Sequence, residues 1–198
     1  MLRILVFCGF LLAGYFFISD IPISHEPGIK APNAPVQTPA REGMMFMHKD
    51  YVIQPLAEFE VHARVLSRER YFLGRESDLA KFDLALGWGQ MSDENILSHF
   101  SISQSGRWYW WKADKLPIPK NEVIRSSANM HMIAADDYVA RQIKRVRPGA
   151  IVKFSGYLVE VKGDDGWKWR SSLTRLDSGG KACEVVFVKD FEIVESDG

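Results

Sequence analysis

The chain has 198 residues, 25 of them basic and 25 acidic, so its formal net charge at pH 7 is zero. A neutral chain carries no electrostatic footprint for nucleic acid. Its only two cysteines, Cys8 and Cys183, exclude a disulfide-stapled scaffold.

Residues 4–19 carry no charge and are almost wholly apolar, from Ile4 to Ser19, behind the single basic Arg3 and before Asp20. A run of this kind is an export or anchoring signal. Its length is near the lower limit of about 17 residues for a spanning helix. The bulky Tyr15-Phe16-Phe17-Ile18 at its end lacks the small residues of a cleavage site, and Phe7 before Cys8 argues against a lipidation signal. The expectation is an uncleaved, single-pass signal anchor over 1–19 in the inner (cytoplasmic) membrane. Arg3 on the short amino side favours a cytoplasmic N-terminus, with the body in the periplasm or outside the cell.

Residues 20–50 follow as a Pro-rich linker. Pro22, Pro27, Pro32, Pro35 and Pro39 are five of the nine prolines in the chain. Extended polyproline backbone rises about 3.1 Å per residue, so residues 20–43 would hold a domain up to roughly 70 Å from the bilayer.

Residues 51–198 are expected to form a single β-rich domain, large enough for a real core. Phe59, Val61, Ala63 and Val65 alternate with Glu60, His62 and Arg64, the period of a half-buried strand. Residues 77–84 are ambiguous. Ser92-Asp93-Glu94 before Ile96 and Leu97 marks a short capped helix. Arg107 to Lys112 holds the densest aromatic run and reads as a strand with aromatics on both faces. Asp136 caps a second helix, in which Val139, Ile143 and Val146 form an apolar stripe and bases crowd the C-terminal end. Pro148-Gly149 stops it.

From Ile151 the pattern is β. Gly156 marks a bulge or sharp bend in a long strand. Gly163-Asp164-Asp165-Gly166 is a hairpin turn. A second turn is expected at Asp177-Ser178-Gly179-Gly180, and Cys183 to Val194 supplies the closing strand. The fold class expected is mainly β with one or two short helices (α+β), a small, antiparallel, partly closed barrel. The stretch from Val146 to Val159, with Gly149, Val152 and Gly156, resembles a strand of OB-fold domains, which implies an OB-like barrel. The chain is also similar to a family of uncharacterised bacterial membrane-anchored envelope proteins. That similarity rests on Leu86 to Asp93, Ile102 to Tyr109 and Ser127 to Ile133; it implies an envelope location and no activity.

No catalytic constellation is legible. His25, His48, His62, His99 and His131 have no ligand spacing and there is no C-x-x-C, so no metal and no cofactor is expected. Ser126, Ser127, His131 and Asp136 lie close in sequence, without a nucleophile elbow. Arg141, Lys144, Arg145, Arg147 and Lys153 form a basic stripe, read as the solvated face of a helix end rather than a nucleic-acid site.

The sharpest signal is aromatic. Trp110 and Trp111 are neighbours on a strand and face opposite sides, so at least one is accessible. With Arg107 beside them, they suit a glycan or peptide ligand. The candidate binding residues are therefore Trp88, Arg107, Trp110, Trp111 and His131. The function expected is a non-catalytic, membrane-tethered binding or assembly module with an envelope-protein or cell-wall partner. The alternatives are an envelope hydrolase using His131 with Asp136 or Asp137, and a structural subunit of a membrane complex.

Overall fold

The computed structural model describes residues 21–174 and 183–194. The expected anchor over 1–19 and the turn at 177–180 lie outside them. Among the described residues no helix is long and apolar enough to cross a membrane.

In chain order the strands are β1 (Val36–Pro39), β2 (Phe46–His48), β3 (Tyr51–Arg70), β4 (Phe82–Gly87) and β5 (Ser101–Ser105). They continue with β6 (Trp108–Lys112), β7 (Ser127–Ala134), β8 (Ile151–Lys162), β9 (Lys168–Arg170) and β10 (Glu184–Val194). The helices are short: α1 (Glu76–Leu79), α2 (Glu94–Leu97), α3 (Lys120–Arg125) and α4 (Asp137–Arg145), with one 3₁₀ turn at Gly89–Ser92. The domain is therefore mainly β, as its alternating patterns predict.

Five strands form a ring. β3 pairs with β4, β4 with β7, β7 with β10, β10 with β8, and β8 with β3 again. The sheet is mixed, not antiparallel as expected, because β10 runs parallel to β7. The reason is arithmetic. Directions cannot alternate all the way round an odd-numbered ring, so at least one neighbouring pair must run parallel.

Strand alternation turns one row of each ring strand inward. Phe59, Val61, Ala63 and Val65 of β3 meet Leu84 and Leu86 of β4, Met130 and Met132 of β7, and Val186 and Val188 of β10. Trp88 joins this core, as do Val139 and Ile143 of α4 and Val146 just past its end. That helix begins as its sequence predicts, with Asp136 Oδ1 accepting from the Val139 amide at 2.9 Å. The opposite faces of β7 and β10 carry a second core, in which Ile133, Val185 and Phe187 meet Ile53, Val159 and Val161.

The long strands curve at register slips, between Pro55 and Ala57 and between Val65 and Ser67 on β3, and between Val188 and Asp190 on β10. Gly156 is not itself a bulge. A Cβ there would lie 1.9 Å from the Phe187 carbonyl oxygen. Its missing side chain is what lets β8 approach β10.

The Pro-rich segment is extended, but it is no free spacer. Ile23 donates its amide to the Pro148 carbonyl at 2.8 Å, and Gly28 donates to Asp93 Oδ1 at 3.0 Å. The Lys30 and Ala31 amides both donate to Ser92 Oγ. Further on, β1 and β2 both pair with β3. Proline removes its own donor but leaves those of its neighbours, and the domain satisfies them. The segment straps onto the domain from Ile23 onward.

Candidate functional site

β4 and β7 lie side by side with Asp83 opposite His131. Because Leu84 and Met130 turn into the ring, alternation sends Asp83, Asn129 and His131 to its outer face. They are nonetheless buried: Asp83 is 0 % exposed and His131 is 4 %. The cover is the β5–β6 hairpin. Gly106 (φ 56°) and Arg107 (φ 70°) form its two-residue turn, between Ser105 and Trp108. Left-handed backbone is unfavourable for arginine, yet this arginine reaches back into the sheet.

Several contacts hold Arg107 there. Its Nη1 donates to Asp83 Oδ1 at 2.6 Å, and its amide donates to the Tyr71 hydroxyl at 2.9 Å. Its carbonyl accepts from Asn129 Nδ2 at 3.1 Å. The guanidinium stacks 4.1 Å from the Tyr71 ring centroid. Gln104 of β5 adds a bond to Asn129, 2.6 Å long. The hairpin is thus latched to the ring through a buried polar network.

The network is incompletely satisfied. His131 Nδ1 lies 2.9 Å from Asp83 Oδ2, but out of line for a hydrogen bond. Arg107 Nη2 and Gln104 Oε1 also lack a hydrogen-bond partner among the described residues. Burial pushes the Tyr71 hydroxyl up, partly offset by the Arg107 amide. It pushes Tyr109, on the inner face of the hairpin, up to about 12.

Beside the latch opens a cleft of about 770 Å³. Trp108 and Trp169 flank it, His131 and Arg107 lie at its inner side, and Glu160 and Arg170 line it further out. The His131 ring packs 5.0 Å from that of Trp169. Burial favours the neutral form of Glu160, but hydrogen bonds from Arg170 and Lys162 outweigh it and hold the carboxyl below its usual range. The lining mixes aromatic faces with fixed polar groups of both signs, the chemistry that receives a sugar or a peptide. Among the described residues no cluster of His, Cys, Asp and Glu could hold a metal ion.

The outward face of the hairpin continues this surface. Ser103 sits opposite Trp110 and Ser105 opposite Trp108. Trp110 is 54 % exposed, and its ring stacks on that of Trp108 with centroids 6.0 Å apart. Trp111 turns inward against Phe100, beside Met91, Ile118 and Val123.

Of the five candidates, Arg107 and His131 meet at the cleft and Trp110 lies outward on the same hairpin. Trp111 packs underneath it, and Trp88 is buried in the ring core. His131 is not gathered with Asp136 or Asp137, which line a different cleft; its carboxylate neighbour is Asp83. Asp83 was not singled out from the sequence. The signal was a lone acid within Phe82-Asp83-Leu84-Ala85-Leu86, where period-2 burial leaves a carboxylate facing the next layer. Neither Trp169 nor Tyr71 is among the candidates the sequence offers.

No family model matches the chain, and no curated protein or solved structure matches it.

Proposed function

We propose that this protein is a membrane-tethered envelope binding module, non-catalytic, which takes an envelope-protein or cell-wall partner across the β5–β6 hairpin and the cleft beside it. The observation that carries this reading is the hairpin itself. Its inner face is latched by Arg107, while its outer face offers stacked Trp108 and Trp110 to solvent. Exposed tryptophans on a braced hairpin suit a contact surface, since aromatic anchors dominate binding energy.

The order of the ring supports a finer reading as a partly closed OB-like barrel. Five strands close through one parallel pair, and α4 sits between the third and fourth of them. OB-like barrels take ligands over their second and third strands, between flanking loops. In this chain those strands are β4 and β7; His131 of β7 lines the cleft, and Asp83 of β4 lies beneath the Arg107 that also lines it. A fold alone does not name a ligand; the tryptophans and the mixed polar lining point to glycan or peptide.

The test is co-purification of the full chain from native membranes, beside sedimentation with isolated cell-wall glycan. A stoichiometric protein partner or glycan binding, lost in Trp108→Ala/Trp110→Ala, supports the proposal. Neither form of binding in the wild type, or binding unchanged in the double variant, overturns it.

A further inference from the structure

We propose that the exposed cationic face of α4 rests on lipid phosphates at the membrane surface, holding the domain close to the bilayer instead of at the end of a long tether. This rests on the reading of residues 4–19 as a membrane anchor. Two independent observations carry it.

The first is where the docked chain begins. Ile23 is fixed to Pro148 by its amide, and a Cβ on Gly149 would lie 1.9 Å from the Ile23 carbonyl oxygen. Pro148 stands three residues after Arg145, the last residue of α4. From Asp20 to Ile23 is three residues, at most about 10 Å of extended chain. A tether that short keeps the C-terminal end of α4 within a few Debye lengths of the headgroups, each about 8 Å at physiological salt.

The second is charge. Arg141, Lys144 and Arg145 are all exposed on α4, and Arg147 follows half-buried. The C-terminal turn is braced from β3, where Arg68 Nη1 donates to the Lys144 carbonyl at 2.6 Å. The cleft alongside, about 450 Å³, adds Arg70 and Lys81. The acids lining that cleft, Asp136 and Asp137, stand at the start of α4, and Glu94, which reaches the Pro148 end through the His25 amide, is paired with Arg64. Basic clusters next to an anchor are drawn to anionic lipid.

The experiment uses the full chain in nanodiscs of phosphatidylcholine with and without phosphatidylglycerol, in a Cys8→Ser/Cys183→Ser background. A fluorophore is placed by Ala140→Cys on α4 or by Lys168→Cys on β9, and quenched by headgroup-attached quencher lipid. Severalfold stronger quenching at 140 than at 168 in anionic discs is expected. R141E/K144E/R145E should abolish the difference, and R141Q/K144Q/R145Q should reduce it. Equal quenching at the two sites, or a difference that survives charge reversal, overturns the proposal while leaving the anchor intact. A difference erased by millimolar inorganic phosphate assigns the cations to a soluble anion, and also overturns it. Extraction of the chain from membranes by alkaline carbonate overturns the anchor reading itself.

Discussion

Arg107 and Asp83 join the tip of a two-stranded hairpin to the wall of a five-stranded ring, through one 2.6 Å contact between Nη1 and Oδ1. The carboxylate is fully buried and the guanidinium side chain is 18 % exposed. Asp83→Asn leaves that cation without its counter-charge. Removing one partner of a buried pair costs about 3 kcal/mol. Urea unfolding should show that loss. Arg107→Met/Asp83→Leu should recover part of it, since an apolar pair strands no charge.

The backbone at Arg107 allows a separate test. Its φ of 70° favours glycine over any residue with a Cβ. Arg107→Gly and Arg107→Ala both remove the guanidinium and its contacts. Arg107→Gly should nonetheless be the more stable of the two by about 1 kcal/mol, the left-handed backbone penalty. Equal denaturation midpoints would show that the turn carries no strain.

Gly149 is the joint of the strap. It has φ 87° and no room for a side chain beside the Ile23 carbonyl. Gly149→Ala should detach residues 21–31 before the ring unfolds. Limited proteolysis checks this: the variant should be cut in that segment at a protease concentration that spares the wild type. Gly28→Ala, where a Cβ meets nothing within 4 Å, is the control for backbone strain alone.

Acid should loosen the same strap. Burial raises the Glu94 carboxyl, but hydrogen bonds from Arg64 and the His25 amide outweigh it and leave it below its usual value of 4.5. A depressed folded-state value means the stabilisation is complete above the usual value. It is lost as the pH falls through the lower one. The stability of the wild type should therefore decline with acidification in that window, and Glu94→Gln should flatten the decline. Chemical denaturation across a pH series measures both.

The tryptophans should divide by burial. Trp110→Ala on the open face should change stability by no more than about 0.5 kcal/mol. Trp88→Ala, in the ring core, should cost about 3–5 kcal/mol. Thermal unfolding of the two variants separates them, and acrylamide should quench Trp110 far more readily than Trp88.

Much of this was legible locally. The alternation in Phe59 to Val65, the Asp136 cap and the Gly163 to Gly166 turn each rest on a few neighbouring residues, and each formed as read. What escaped depends on register between distant segments. Nothing in Phe82 to Leu86 says that His131 will stand opposite Asp83, or that Arg107 will descend on both. The parallel pairing of β10 with β7 likewise follows from closing the ring, not from either strand. The strap was misjudged for a related reason: proline content describes the backbone of residues 20–50, whereas their docking is decided by acceptors on Pro148, Asp93 and Ser92.

The closure of the ring also sets an order of events. β10 is the last ring strand to be synthesised, yet it bridges β7 and β8. Until it arrives, both those strands present bare edges, open to pairing with another chain. The long sequence separation of these partners makes the final step slow. A chain emerging segment by segment thus remains aggregation-prone until Glu184–Val194 is free to insert, and a truncation before Val185 should yield a sticky open sheet rather than a smaller stable domain.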